Sequence, residues 1–280
     1  MKKLLKIGLL SALLAVVMAS CNDDDDARVV YTSYATVIFT DNRPVLRTDK
    51  GNYLRLTNGA DVAPHVEDGD RVLALYFIEG DVVDNSGSVG DYPAYLLSAP
   101  KLLCKEPLYQ SELNNKPEED EKVGYDPVRI RNGNWWFGGK YLNVIFDYWR
   151  RFGSTDTHFI NLVVDDVQGN TGVADDGKVV VWLRHNSIDD KPNMENHQNF
   201  TTKTGFVSFD LLPLLGDRTL QAIEEGQLEL VLKWTDFKTP FSGETEEHSA
   251  EGKFIPWGNT MAAPSETVPG DGSQSESQYD

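Results

Sequence analysis

An all-β chain in two parts is what this sequence predicts: an N-terminal five-stranded OB-like barrel, then a C-terminal antiparallel β-sandwich of immunoglobulin-like kind. Three observations lead there. Runs such as Val29 to Phe39, Arg71 to Ile78 and Tyr141 to Trp149 are dense in β-branched and aromatic residues. Turn residues separate the runs at short intervals, and almost no stretch carries helical periodicity. A charge-dominated segment, Asn114 to Lys122, divides two strand-rich blocks.

The chain opens with an address. Lys2, Lys3 and Lys6 precede an apolar run from Leu9 to Val17, and small residues follow at Ala19 and Ser20. Basic, apolar, then small is the order of a secretory signal. The apolar run falls short of the ~20 residues that span a bilayer. Cys21 stands directly after Ser20, so residues 1–20 resemble a bacterial lipoprotein signal, with Met18 where Leu is usual. The resemblance implies that Cys21 becomes the lipidated first residue and that the membrane is a partner through that lipid. Residues 21–28 then form an acidic tether, Asn22 to Asp26 leading. Such a run resembles the surface-export tag of some Gram-negative lipoproteins, which places the protein on the outer membrane, facing outward; the alternative is a plain spacer on a periplasm-facing protein.

The barrel is expected over residues 29–105. Asp41-Asn42-Arg43-Pro44 and Asp49-Lys50-Gly51-Asn52 are turns, with a short strand at Tyr53 to Leu56. In Arg71 to Ile78, Val72, Ala74, Tyr76 and Ile78 line one face and Leu73, Leu75 and Phe77 the other. A strand apolar on both faces suits a curled barrel that touches two layers. A loop with Asn85, Gly87 and Gly90 leads to a last strand pair over Tyr92 to Cys104. Five short strands fit an OB-like barrel; pattern alone also allows an SH3-like barrel or an open sandwich. Cys104, in its apolar run, is expected in the core.

Residues 106–124 read as a solvated linker, and 125–257 as the sandwich. Val128 and Ile130 alternate with Arg129 and Arg131 as a half-exposed strand, and Asn132-Gly133-Asn134 is a hairpin-type turn. Leu142, Val144, Phe146 and Tyr148 share a face opposite Asn143 and Asp147. Strands follow at Phe159 to Val164, Val179 to Arg184, Lys203 to Phe209 and Leu228 to Trp234. Turns fall at Gly169-Asn170 and Asp175-Asp176-Gly177, and Arg218 to Glu225 alone looks helical. Residues 258–280, rich in Ser, Gly, Pro and Glu, are expected to be disordered.

One family carries several of these segments in this order: Gly69-Asp70-Arg71-Val72-Leu73, Asp126-Pro127-Val128-Arg129-Ile130, the Trp135-Trp136 pair, Tyr141-Leu142-Asn143-Val144, His158-Phe159-Ile160-Asn161-Leu162, Leu183-Arg184-His185-Asn186 and Val207-Ser208-Phe209-Asp210. The chain resembles the NigD-like lipoproteins over nearly all of its mature length. That resemblance implies an OB-like domain followed by a β-sandwich, and a family named after an immunity lipoprotein encoded beside a bacteriocin.

Charge and motifs narrow the function by exclusion. The formal charge of -18 becomes -21 once Lys2, Lys3 and Lys6 leave with the signal. Such a surface repels nucleic acid and anionic head groups. No H-E-x-x-H, Cys-x-x-Cys or G-x-S-x-G occurs. His158 and His185 stand at strand ends with Asp156 and Asp189 nearby in sequence, a spacing too loose to define a zinc site. The pairs Asp165-Asp166, Asp175-Asp176 and Asp189-Asp190 fit turns better than a calcium loop. No catalytic residue, metal or cofactor is expected. Trp135, Trp136 and Trp149 are the candidate binding aromatics for a glycan, peptide or protein, with core packing of the tandem pair as the other reading. A non-catalytic binding or immunity-like module is the first function hypothesis. An exported hydrolase using loop carboxylates and His158 or His185 is the second.

Overall fold

The computed structural model describes residues 28–80, 90–131, 133–166, 178–213 and 229–253. The signal, Cys21, the acidic tether, the Asn85–Gly87 loop, the turns at 169–170 and 175–177, the helix expected at 218–225 and the tail lie outside them, as does Asn132.

The first block is a closed barrel of five strands: β1 (Tyr31–Thr40), β2 (Arg43–Thr48), β3 (Tyr53–Leu56), β4 (Arg71–Ile78) and β5 (Asp91–Ser98). They are ordered β1-β2-β3-β5-β4, and β4 closes on β1. The turn at Asp41 and Asn42 carries φ of 52° and 60°. Two successive left-handed residues match the twist of a tight hairpin, and short polar side chains tolerate that region. A single-turn helix, α1 (Gly59–Val62), follows β3. Ala35, Val37, Leu46, Leu54, Val72, Ala74, Tyr76, Ala94 and Leu96 fill the interior.

The barrel ends before Cys104. Residues Cys104–Lys105 (β6) pair in parallel with β12 (Phe200–Asp210) in one sheet of the sandwich. Leu108–Tyr109 (β7) pair in parallel with β10 (Phe159–Val164) in the other. The chain therefore stitches both sheets within six residues. Cys104 is exposed on its edge strand, not in the core; an edge strand has a neighbour on one side only.

The segment expected as a solvated linker is packed. Two helices, α2 (Gln110–Asn114) and α3 (Pro117–Val123), lie on the sandwich and bury Leu113 and Val123 against Val163. Pro117 opens α3, with Glu118, Glu119 and Asp120 in its first turn where the helix dipole favours acids. The charge run is thus the outer dressing of a helix that docks through one or two apolar residues, too few to show as periodicity.

The sandwich has sheets ordered β14-β13-β11-β10-β7 and β6-β12-β9-β8. The remaining strands are β8 (Trp135–Gly138), β9 (Tyr141–Arg151), β11 (Lys178–Asn186), β13 (Glu229–Phe237) and β14 (Thr245–Lys253). Leu142, Val144, Phe146, Leu162, Val181, Leu183, Val207, Phe209, Leu230 and Leu232 form its core. The barrel-then-sandwich architecture is as the sequence predicts, but the sandwich is not wholly antiparallel: besides the short parallel pairs made by β6 and β7, β11 pairs β13 in parallel. The chain visits the opposite sheet as β12 between them, and that crossover restores the original direction. Val128 and Ile130 are buried, but only Arg129 bridges β9, at Asp147, so that segment is not a strand. The turn after it joins two segments that both pair with β9; the hairpin itself turns at Gly139-Lys140.

The two blocks meet across a polar seam without water access. Arg71, on the outward face of β4, donates to both carboxylate oxygens of Asp49 at 2.7 and 2.8 Å. From the sandwich, Trp136 Nε1 and Asn143 Nδ2 donate to Asp49 Oδ2 at 2.9 and 3.1 Å. Arg71 Nη2 donates to Asn143 Oδ1 at 2.9 Å, and Ser208 Oγ to the same oxygen at 2.6 Å. Tyr34 stacks on Phe206 beside this network, with ring centroids 4.9 Å apart. A buried ion pair is tolerated when its remaining hydrogen-bonding capacity is met, and here both partners are met from the other domain.

Candidate binding cleft

One end of the sandwich opens into a cleft of about 240 Å³, lined among others by Tyr125, Asp126, Trp149, His185, Asp190 and Phe237. Both sheets contribute: Trp149 comes from β9, His185 from the end of β11 and Phe237 from the end of β13. A cluster of Trp149, Phe200, Phe237 and Phe241 closes the core beneath it. Tyr125, 56 % exposed, stands at the mouth, with the buried Arg184 guanidinium 3.6 Å from its ring centroid. Arg184 is itself fixed by Gly124 O at 2.8 Å and Asp120 Oδ1 at 3.0 Å, so α3 helps to place the aromatic ring.

Sequence separation hides the polar core of this end. His158 and His185 stack, and His158 Nδ1 lies 3.0 Å from His185 Nε2. His158 Nε2 lies 3.2 Å from Asp190 Oδ2. Burial, reinforced by the neighbouring His158, drives His185 down from 6.5 to about 4. Burial would raise the Asp190 carboxyl, but hydrogen bonds from His158, Ser154 and the Arg151 backbone hold it below the usual range. Asp126 is held low in the same way, against burial, by Ser187 and Lys191. Ser187 donates its backbone N–H and its Oγ to Asp126 at 2.8 and 2.7 Å.

These contacts decide the chemistry available. The Ser187 hydroxyl faces a carboxylate of depressed basicity, not an imidazole, so nothing here draws its proton away. Both His158 nitrogens are engaged, by His185 Nε2 and by Asp190. Among the described residues His185 Nδ1 is buried without a hydrogen-bond partner, and no three His, Cys, Asp or Glu side chains are grouped to hold a metal. The carboxylate partner is Asp190, where the sequence suggested Asp156 or Asp189. Asp166, from the acid pairs, accepts from the Ser111 backbone N–H at 2.7 Å.

The three candidate tryptophans separate. Trp135 lies in the sandwich core beside Phe137, and Trp136 is fully enclosed in the seam. Only Trp149 reaches the cleft. Tyr125 and Phe237 carry no signal in the sequence, and Asp190 stands out there only as half of the Asp189-Asp190 pair. Asp126 opens the Asp126-Pro127-Val128-Arg129-Ile130 segment, but nothing local shows that it meets Ser187 and Lys191.

Comparison with known proteins places the second block. Residues 111–245 match the model of the NigD-like C-terminal beta sandwich domain. This part of the chain is a NigD-like domain. The match begins inside α2, so the two helices fall within the NigD-like domain and not in a connector. A crystal structure of a protein from Parabacteroides distasonis, provisionally assigned as toxin-related, is similar over 80% of this chain and 94% of its own, at 23% identity and a TM-score of 0.54. A provisionally assigned lipoprotein from Bacteroides fragilis aligns over 81% and 99%, at 12% identity and a TM-score of 0.51. A NigD-like immunity protein from Bacteroides caccae aligns over 82% and 99%, at 16% identity and a TM-score of 0.49. No curated protein matches the chain.

Proposed function

We propose that the protein is an exported, lipid-anchored module that holds a ligand or partner at the NigD-like cleft and does not turn it over. Cys21 carries the lipid, and the acids behind it direct the chain to the outer face of the outer membrane. The lipid reading draws support from the signal pattern and from the Bacteroides fragilis relative named as a lipoprotein. Among the described residues no helix is long and apolar enough to cross a membrane.

The observation that carries the binding reading is the closure of the cleft's reactive groups on one another. Ser187 is spent on Asp126, and His158 on His185 and Asp190. What the cleft leaves free is shape and surface: the Tyr125 ring and the Trp149 edge, with the Lys191–Asp126 ion pair at the rim. Such a site suits recognition of a glycan, peptide or protein segment. A hydrolase built on His158 would need a nucleophile or water placed against a ring nitrogen, and both of its nitrogens are already engaged; His185 Nδ1 has no hydrogen-bond partner among the described residues but is buried.

The test uses the Cys21→Ala protein on glycan and peptide arrays, with mass spectrometry of every retained ligand. Retention of an intact ligand, weakened roughly tenfold by Tyr125→Ala, is the expected result. Release of a cleaved product would replace binding with catalysis.

A further inference from the structure

The outward face of β4 changes character along its length. Arg71 turns into the seam, and Leu73, Leu75 and Phe77 follow at alternate positions. The register sets Thr32 of β1 beside Leu75, and Tyr95 of β5 beside Phe77. Val30 and Leu97 extend the same outward rows. Val30 is 45 % exposed, Leu75 36 %, Tyr95 38 % and Leu97 48 %. The Tyr95 ring stacks on Phe77 with centroids 5.0 Å apart and planes 7° from parallel. The Arg28 guanidinium lies 4.7 Å over the same Phe77 ring. An apolar face spread over three neighbouring strands of a small barrel is a contact surface, not the scatter of single exposed residues that every protein carries.

We infer that this face rests on the lipid surface that holds the Cys21 anchor. The inference depends on the lipidation proposed above. Seven peptide units separate Cys21 from Arg28, a reach of about 25 Å at full extension. Arg28 enters the barrel on this face, so the face is the part of the described protein tied closest to the bilayer. Its chemistry suits an interface: Leu and Val side chains to enter it, a Tyr with an apolar body and polar tip, and an Arg whose head can reach phosphate oxygens. At the rim, Asp91 is paired with Arg55 at 2.7 Å, which removes one local charge that would oppose contact. A second copy of this chain is a poor occupant, because both copies carry the same strong negative charge. The same repulsion makes zwitterionic lipid a better surface than anionic lipid.

The experiment places a dye. Leu97→Cys in a Cys104→Ser background gives one free thiol beside the lipidated Cys21; Ser242→Cys in the same background is the control on the sandwich. Each full-length lipoprotein is labelled with an environment-sensitive fluorophore and reconstituted in phosphatidylcholine vesicles with or without doxyl-labelled lipid. Palmitate incorporation is measured first on the same preparations. The expected result is a blue shift and a loss of emission to doxyl lipid at position 97 but not at 242, weakened when phosphatidylglycerol is added. A lipidated protein with its position-97 dye in water would overturn this inference and leave the anchor intact. Equal quenching at both positions, or a blue shift without doxyl quenching, would overturn it as well, the latter pointing to a protein occupant. Failure to incorporate palmitate would remove the anchor and this inference together.

Discussion

Trp136 of the sandwich donates its indole N–H to Asp49 of the barrel at 2.9 Å, and neither side chain meets solvent. Asp49 is also the partner of Arg71, so one carboxylate holds the two domains to each other. Removing one member of a buried pair strands the other charge. Arg71→Met should therefore cost about 3–5 kcal/mol in urea unfolding. Arg71→Met combined with Asp49→Leu should recover much of that loss, because no charge is then left unpaired. Trp136→Phe, which deletes one hydrogen bond, should cost about 1–3 kcal/mol.

The backbone at this seam is as close as the side chains. A Cβ on Gly138 would stand 2.1 Å from the Asp49 carboxyl carbon. Gly138→Ala should lower the melting temperature, whereas Gly133→Ala, with open space around its Cβ position but a φ of 82°, should cost only backbone strain. Equal losses at the two sites would contradict the seam geometry.

Because β6, β7, α2 and α3 are packed on the sandwich, protease should not find an open linker at 106–124. Limited proteolysis should leave that segment intact under conditions that trim the tail, and unfolding should be one transition. Early cleavage there into two stable halves would contradict the packing of Leu113 and Val123.

Much of this fold is legible in the sequence, and where it is not the reason is physical. Alternation in β9 and β13 marks Leu142, Val144, Leu230 and Leu232 correctly because burial on one face of a strand leaves a period of two. The helices over 110–123 leave no such trace, since Leu113 and Val123 are the only apolar residues they bury. The shared motifs Arg71, Trp136, Asn143 and Ser208 look unrelated along the chain, yet all four converge on Asp49 or its neighbours in the seam. The cleft is the least legible part: His158, His185 and Asp190 become one group only when loops from two strand ends meet.

Acid should weaken the protein in a defined window. His185 stays neutral in the folded state down to about 4, against 6.5 when exposed. Between those values the unfolded chain binds the extra proton, so stability falls as pH drops from 6.5 toward 4 and the His185 contribution is flat below. The loss from this residue is up to roughly 3 kcal/mol. His185→Gln should flatten the profile in that window. Asp126 and Asp190, held low when folded, add a separate loss on further acidification, as they protonate. An unchanged slope between 6.5 and 4 in His185→Gln would show that another group titrates.

The most direct measurement is protease treatment of intact cells expressing the wild-type chain, Cys21→Ala, or Asp23 to Asp26 replaced by alanine, each also followed for palmitate label. The wild type should be labelled, membrane-bound and digested from outside. Cys21→Ala should be unlabelled and released, and the tether variant labelled but shielded. A labelled wild type that resists protease until the outer membrane is opened would contradict a surface-exposed binding module.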